Sequence, residues 1–226
     1  MRRSRINTVM AEAAEVVRSQ GLHLPPWAWW SPAEFMARRD SARGVIEAGC
    51  GWEVTDYGTG DFDRSGLVLF TLRNVTPADR AQGTGYAERL LVSRQDQLSP
   101  MRSHTHGAGD IINRGGAALV VELYGSDDRG GFAKGRGGRV LRDGIACDFA
   151  PGDRIRLQPG ESLTLRPGDW HAFWGEGGSV LIGTVSTAGD TAGDTLFRDE
   201  IGPFGPVEED ASPEHLLVSD YRSWLG

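Results

Sequence analysis

From Trp52 onward the chain falls into short β-branched or alternating apolar runs, with no helical period between them. "WEVTDYG", "GLVLFTLRN", "YAERLLVS", "AALVVELYG", "RIRLQPGESLTLRPG" and "SVLIGTVS" are separated by Gly, Pro and Asp, the residues that turn a chain. Several such strands at short spacing, without helices between them, predict an antiparallel sandwich or barrel. The 32 glycines and 11 prolines supply the turns this needs.

The first 45 or so residues read differently. Ile6, Val9, Met10, Ala13, Val16 and Val17 recur at helical spacing, and Gly21 can end that helix in the left-handed conformation. A second helix starts at "SPAEFMARR", where Ser31 caps, Pro32 takes the first helical position and Glu34 completes a capping box. Between them, "HLPPWAWW" is a stiff aromatic connector. Its tryptophans could rim a sugar site, but a clasp holding the helix on a sheet is the favoured expectation.

Two loops stand out. "GSDDRGGFAKGRGG" reads as a polar hairpin tip whose glycine spacing does not match a phosphate-binding loop, and "TAGDTAGDT" is a tandem repeat too brief for a solenoid. The last stretch starts as coil and ends in Leu216, Leu217, Val218, Tyr221, Trp224 and Leu225, which should dock on the body. The expectation is therefore one domain over residues 1–226: a helical extension to about 45, a barrel over about 50–200, and a docked tail over about 201–226.

Charge narrows the partners. A net charge of −7 argues against nucleic acid, which wants a basic face. Cys50 and Cys147 are too few for a disulfide framework, and a reducing compartment is expected. The basic N-terminus lacks a continuous apolar segment and no run approaches a membrane span, so a cytoplasmic protein without a membrane partner is expected.

Chemistry concentrates at "SHTHGAGDIINRGG" and "LRPGDWHAFW". Arg102, His104 and His106 alternate and would face one way in a strand. His171 follows a Pro-Gly turn that can aim it inward. Three neutral imidazoles and a carboxylate suit a divalent ion such as manganese, iron, nickel or zinc. His23 and His215 lack comparable spacing.

"HTHGAGD" followed by "PGDWH" resembles the paired motifs of the cupin superfamily, whose fold is a double-stranded β-helix jelly roll. Nearly the whole chain is similar to the D-lyxose isomerase family within it, through "SRIN", "LPPWAWWSPAEF", "LFTLRN", "YAER", "DIINRGG", "VVELYG", "RLQPGESLTLRPGDWHAFW" and "DYRSW". The resemblance implies an all-β cupin barrel with N-terminal helices packed against it. It also implies an aldose–ketose isomerase that interconverts D-lyxose and D-xylulose or a related sugar, uses a manganese-type ion, and forms a homodimer.

The family's ion ligands, by the same resemblance, are a His-x-His pair, a glutamate just before "DIINRGG" and a distal histidine. Without a gap, the pair falls on Arg102 and His104 and the glutamate on Gly109. A shift of two residues places the ligands on His104, His106, Asp110 and His171; it preserves strand parity for the histidine pair, and we adopt it as the expectation. Other departures are Thr84 for a lysine and Thr184 for a glutamate. Glu208 and Glu209 remain as candidate bases, Arg102 as a stabiliser of enediolate charge, and Arg89, Trp170 and Trp174 as sugar contacts. The alternatives are a sugar-binding cupin without isomerase activity and, more remotely, an iron-dependent oxygenase.

Overall fold

The computed structural model describes residues 1–75, 85–187, 195–202 and 204–226. The strands are β1 (Gly51–Thr55), β2 (Leu67–Arg73), β3 (Tyr86–Ser93), β4 (Ser99–His104), β5 (Gly109–Tyr124), β6 (Gly138–Arg142), β7 (Ile145–Phe149), β8 (Asp153–Leu157), β9 (Ser162–Leu165), β10 (Trp170–Thr187) and β11 (Thr195–Phe197). Every pairing between these strands is antiparallel. The all-β expectation holds. Thr84 and most of the "TAGDTAGDT" repeat lie outside the described residues.

Two long strands, β5 and β10, organise the sheet. Over its second half β10 pairs with β3, over its first half with β4, and on its other edge with β5. Likewise β5 pairs with β9 near its start and β8 near its end. Each of these strands changes partners along its length within one eleven-stranded sheet, and each has a register irregularity at a glycine pair: Gly115–Gly116 in β5 and Gly177–Gly178 in β10. Gly116 has φ +88°, and a Cβ there would run into the Ser179 carbonyl. Only glycine meets both demands.

The N-terminal helix α1 (Arg3–Ser19) lies against β1, β2 and β3, burying Ile6, Val9, Met10, Ala13 and Val17. Opposite them stand Trp52 and Val54 of β1, Val68 and Phe70 of β2, and Leu90 and Val92 of β3. Strand alternation then turns Glu53 and Thr55, Leu67 and Leu69, and Arg89 and Leu91 into the barrel. These strands are covered on both faces, so their polar residues face a cavity and not bulk solvent.

The aromatic connector is a clasp. Trp27 stacks on Phe70 at 5.0 Å, Trp29 meets Trp52 edge-on, and Trp52 donates its indole N–H to the Ala28 carbonyl. Helix α2 (Pro32–Ala37) carries the expected Ser31–Glu34 capping box, and a short α3 (Arg43–Glu47) follows. The tail ends in α4 (Tyr221–Trp224), where Leu216, Tyr221 and Leu225 pack with Phe35. No helix among the described residues is long and apolar enough to cross a membrane.

The β6–β7 hairpin is absent from the sequence-based expectation. Its Asp143-Gly144 turn, with both φ positive, is a strong hairpin signal. However, Ile145 is 73% exposed and the flanking residues alternate poorly, so the strand pattern around that turn is faint.

Candidate active site

A cavity of about 190 Å³ opens inside the barrel. One end is built by β1, β2, β3 and β10. Register aligns Thr71, Arg89 and Thr184 across three neighbouring strands, and Glu53 on β1 faces the same interior. Burial among protein atoms pushes the Glu53 carboxyl up to about 7, against the opposing pull of Arg89 and the Thr71 hydroxyl. Glu53 keeps some accessible surface only in the sense that it lines the cavity. The Arg89 guanidinium is itself held below its ordinary value, chiefly by burial.

The other end is built by β4, β10 and β11. Arg102 is the strand partner of both His171 and Phe197. The His104 and His171 rings lie 5.6 Å apart between centroids. Burial pushes His171 down to about 3, with the neighbouring His104 and Arg102 adding to the effect, so the ring is neutral. Its Nδ1 lies 3.1 Å from the Asp169 carbonyl oxygen; this contact assigns the proton to Nδ1 and leaves Nε2 as an acceptor. Arg102 donates from Nη2 to the Tyr57 hydroxyl at 2.8 Å and to Ser99 Oγ, and from Nε to the Pro100 carbonyl. Its guanidinium carbon lies 5.2 to 5.4 Å from the ring centres of Tyr57, Phe173 and Phe197.

Several expected site residues need correction. Asp110 lies on the far side of the wall from the barrel core: it pairs with Thr164, accepts that hydroxyl at 2.6 Å, and sits between Gly109 and Ile111, which line the core face. It touches the cavity only at its edge. His106 stands beyond the end of β4, exposed at the rim, with Nδ1 2.7 Å from the Thr105 hydroxyl. The interior positions on these strands go to Arg102, His104 and Gly109, as a gapless alignment requires.

Glu208 and Glu209 are far from any proton-transfer role. Glu208 pairs with Arg2 at the surface, and Glu209 pairs with Arg3, so both hold the N-terminus in place. On β10 the inward residues are His171 and Phe173; Trp170 and Trp174 therefore point outward. Trp170 packs among Met101, Ala172 and Phe132, while Trp174 lies beneath Arg154. Arg89 and Arg102 do line the cavity. Glu53 and Tyr57 escape the sequence reading. The signal for Glu53 is an acid between Trp52 and Val54, and it reads as a solvent face until α1 is seen to cover the opposite one.

A divalent ion does not fit this donor set. Among the described residues no three His, Cys, Asp or Glu side chains come together as a metal group. Two imidazoles remain, and the third place is taken by a guanidinium that cannot give up its proton. The protein purified from manganese-supplemented medium is expected to carry no stoichiometric ion by elemental analysis. The double substitution Arg102→His with Gly109→Glu should gain one. At Gly109 a Cβ would stand 3.1 Å from Ser186 Cβ and needs only a small adjustment. A full equivalent of manganese in the unmodified protein would refute the misfit.

Comparison with known proteins agrees with the fold. The family model for D-lyxose isomerase matches residues 1–221. A D-lyxose/D-mannose isomerase of Serratia proteamaculans is 41% identical, with all of both chains covered. One from Escherichia coli O157:H7 is 36% identical over 99% of this chain and all of its own. Among solved structures, L-ribose isomerase of Cellulomonas parahominis with L-ribose superposes with a TM-score of 0.58 at 15% identity, covering 92% of this chain and 97% of that one. L-ribose isomerase of Geodermatophilus obscurus gives 0.59 at 14% identity, covering 92% and 98%. An antiparallel barrel of this kind enclosing a polar cavity, with such relatives, is a cupin-type sugar isomerase. The chain belongs to the D-lyxose isomerase family.

Proposed function

We propose that the protein interconverts an aldose of the D-lyxose or D-mannose type and its 2-ketose, and that Glu53 moves the proton. The observation that carries this reading is a carboxyl placed on the cavity wall by β1, with its proton affinity moved into the neutral range. A base poised near the working pH is the most effective one. As carboxylate, Glu53 takes the C2 proton of the open-chain aldose, and negative charge develops on the O1–O2 side of an enediolate. Arg89 faces the same end and opposes that charge. Within the enediolate the hydroxyl proton passes from O2 to O1, and return of the carbon-bound proton from Glu53 to C1 leaves the 2-ketose with its carbonyl at C2. His171 Nε2, an acceptor, can hold a sugar hydroxyl, and Thr184 adds another polar contact.

The names of the sequence relatives support this substrate class. A homodimer and a cytoplasmic setting accompany the proposal. The test is proton exchange followed by NMR in deuterated water, across D-lyxose, D-mannose, D-xylose and L-ribose. Deuterium is expected at C2 of the aldose, with ketose accumulating, in one of the first two. No exchange in any aldose would leave a sugar-binding cupin without turnover.

A further inference from the structure

The end of the cavity opposite Glu53 carries a charge that a neutral sugar does not use. Arg102 is half-buried, and no carboxylate among the described residues pairs with it. Its Nε and Nη2 are engaged by Pro100, Tyr57 and Ser99, whereas Nη1 has no acceptor among the hydrogen bonds it makes. Three aromatic rings surround the guanidinium. Cation–π contact steadies such a charge without neutralising it. The arrangement is a fixed cation with one donor group left for an anion, and a guanidinium matches a carboxylate in geometry as well as charge.

The two carboxyl-bearing residues of the lining reinforce this polarity. Glu53 stands at the far end, and Asp110 is engaged by Thr164 at the edge. Glu53 and Tyr57 are four residues apart on one chain, so at most about 14 Å separates their backbone positions. Thr55 lies between them on the lining, so the two ends share one wall of the same cavity. Ionised Glu53 repels an acid group and Arg102 attracts it, so such a ligand has one favoured orientation.

We propose that the cavity takes an acidic sugar, an open-chain aldose ending in a carboxylate, with that carboxylate on Arg102 and the carbonyl carbon at Glu53 and Arg89. The orientation of the carbonyl end rests on the isomerase reading. Placement of the acid end rests on Arg102 alone. In this protein a guanidinium occupies the strand position beside His171, and the acid group of the ligand takes up the charge there.

Calorimetric binding of D-mannuronate and D-mannose to the unmodified protein tests this directly, since the two differ only by a carboxylate at C6. The uronate is expected to bind about 10- to 100-fold more tightly, the range for a hydrogen-bonded charge pair. Arg102→Gln should abolish the preference, and Arg102→Lys should retain part of it. Equal or tighter binding of D-mannose overturns the proposal, as does a preference that survives in Arg102→Gln. The comparison on unmodified protein stands even if a variant fails to fold. Deuterium exchange run on the same two sugars separates the two readings. Tight uronate binding without exchange in either sugar sinks the isomerase reading and leaves the acid site standing. Exchange in D-mannose with no uronate binding does the reverse.

Discussion

Glu53→Gln is expected to lower kcat by about 10²- to 10⁴-fold, the contribution of a positioned general base. The amide keeps the shape of the carboxyl and its place beside Thr71, so KM should change little. In the unmodified protein, kcat/KM should rise with pH through a midpoint near 7, because only the ionised carboxyl accepts a proton and burial holds its affinity there. The variant should lose that limb. Stability should respond in the opposite sense. A carboxyl whose folded pKa is raised above its unfolded value of 4.5 costs the fold stability as pH rises from about 4.5 to about 7. Glu53→Gln should therefore melt higher than the unmodified protein at pH 8, with the difference shrinking toward pH 4.5. Full activity in the variant would remove Glu53 from the chemistry.

Arg3→Met should be the most destabilising single change outside the cavity. The Arg3 side chain has no exposed surface and donates from Nη1 and Nη2 to the two oxygens of Asp220 at 2.9 and 2.8 Å. It also reaches Glu209 from Nε and Nη2 at 2.9 and 2.7 Å. Hydrogen bonding to Glu209 and then Asp220 holds the guanidinium above its ordinary value, against desolvation. Removing the cation leaves Asp220, with its side chain 10% exposed, buried without its counter-charge. Losing one partner of a buried pair costs about 3 to 5 kcal/mol. For a chain of this size that is a fall in Tm of roughly 10 °C. The Arg139–Asp148 pair, by contrast, is more than half exposed on both sides, and Arg139→Met there should leave the denaturation midpoint almost unchanged. Chemical denaturation of both variants decides the matter; similar midpoints would show that Arg3 is not the pin of the two termini.

That pin also explains why Glu208 and Glu209 misled the sequence reading. An acidic pair near the end of a chain has the composition of a catalytic pair, and nothing local distinguishes them. Their partners are Arg2 and Arg3, more than 200 residues away in sequence. Trp170 and Trp174 misled for a different reason. Both flank His171 and Phe173 in a stretch that is aromatic on both faces, so alternation alone does not say which set faces the barrel.

The strand segments, the capped second helix, the first helix and its glycine stop were legible in the residues because each depends on local periodicity and local hydrogen bonding. Family membership was legible as well, since it rests on stretches spread over the whole chain. The site was legible only in part. His104 and His171 stand out by type and spacing, and the structure brings their rings together. A two-residue shift keeps strand parity, however, so the residues alone left two registers for the histidine pair. The end of β4 at His104 and the inward place of Gly109 chose between them. Glu53 was hidden for a tertiary reason. Alternation in "WEVT" separates Glu53 from Trp52 and Val54, but only the docking of α1 on the tryptophan side turns the acid's side into an interior. Local sequence set which residues share a face; packing set which face encloses the cavity, and with it the proton affinity of Glu53 and the placing of Arg102.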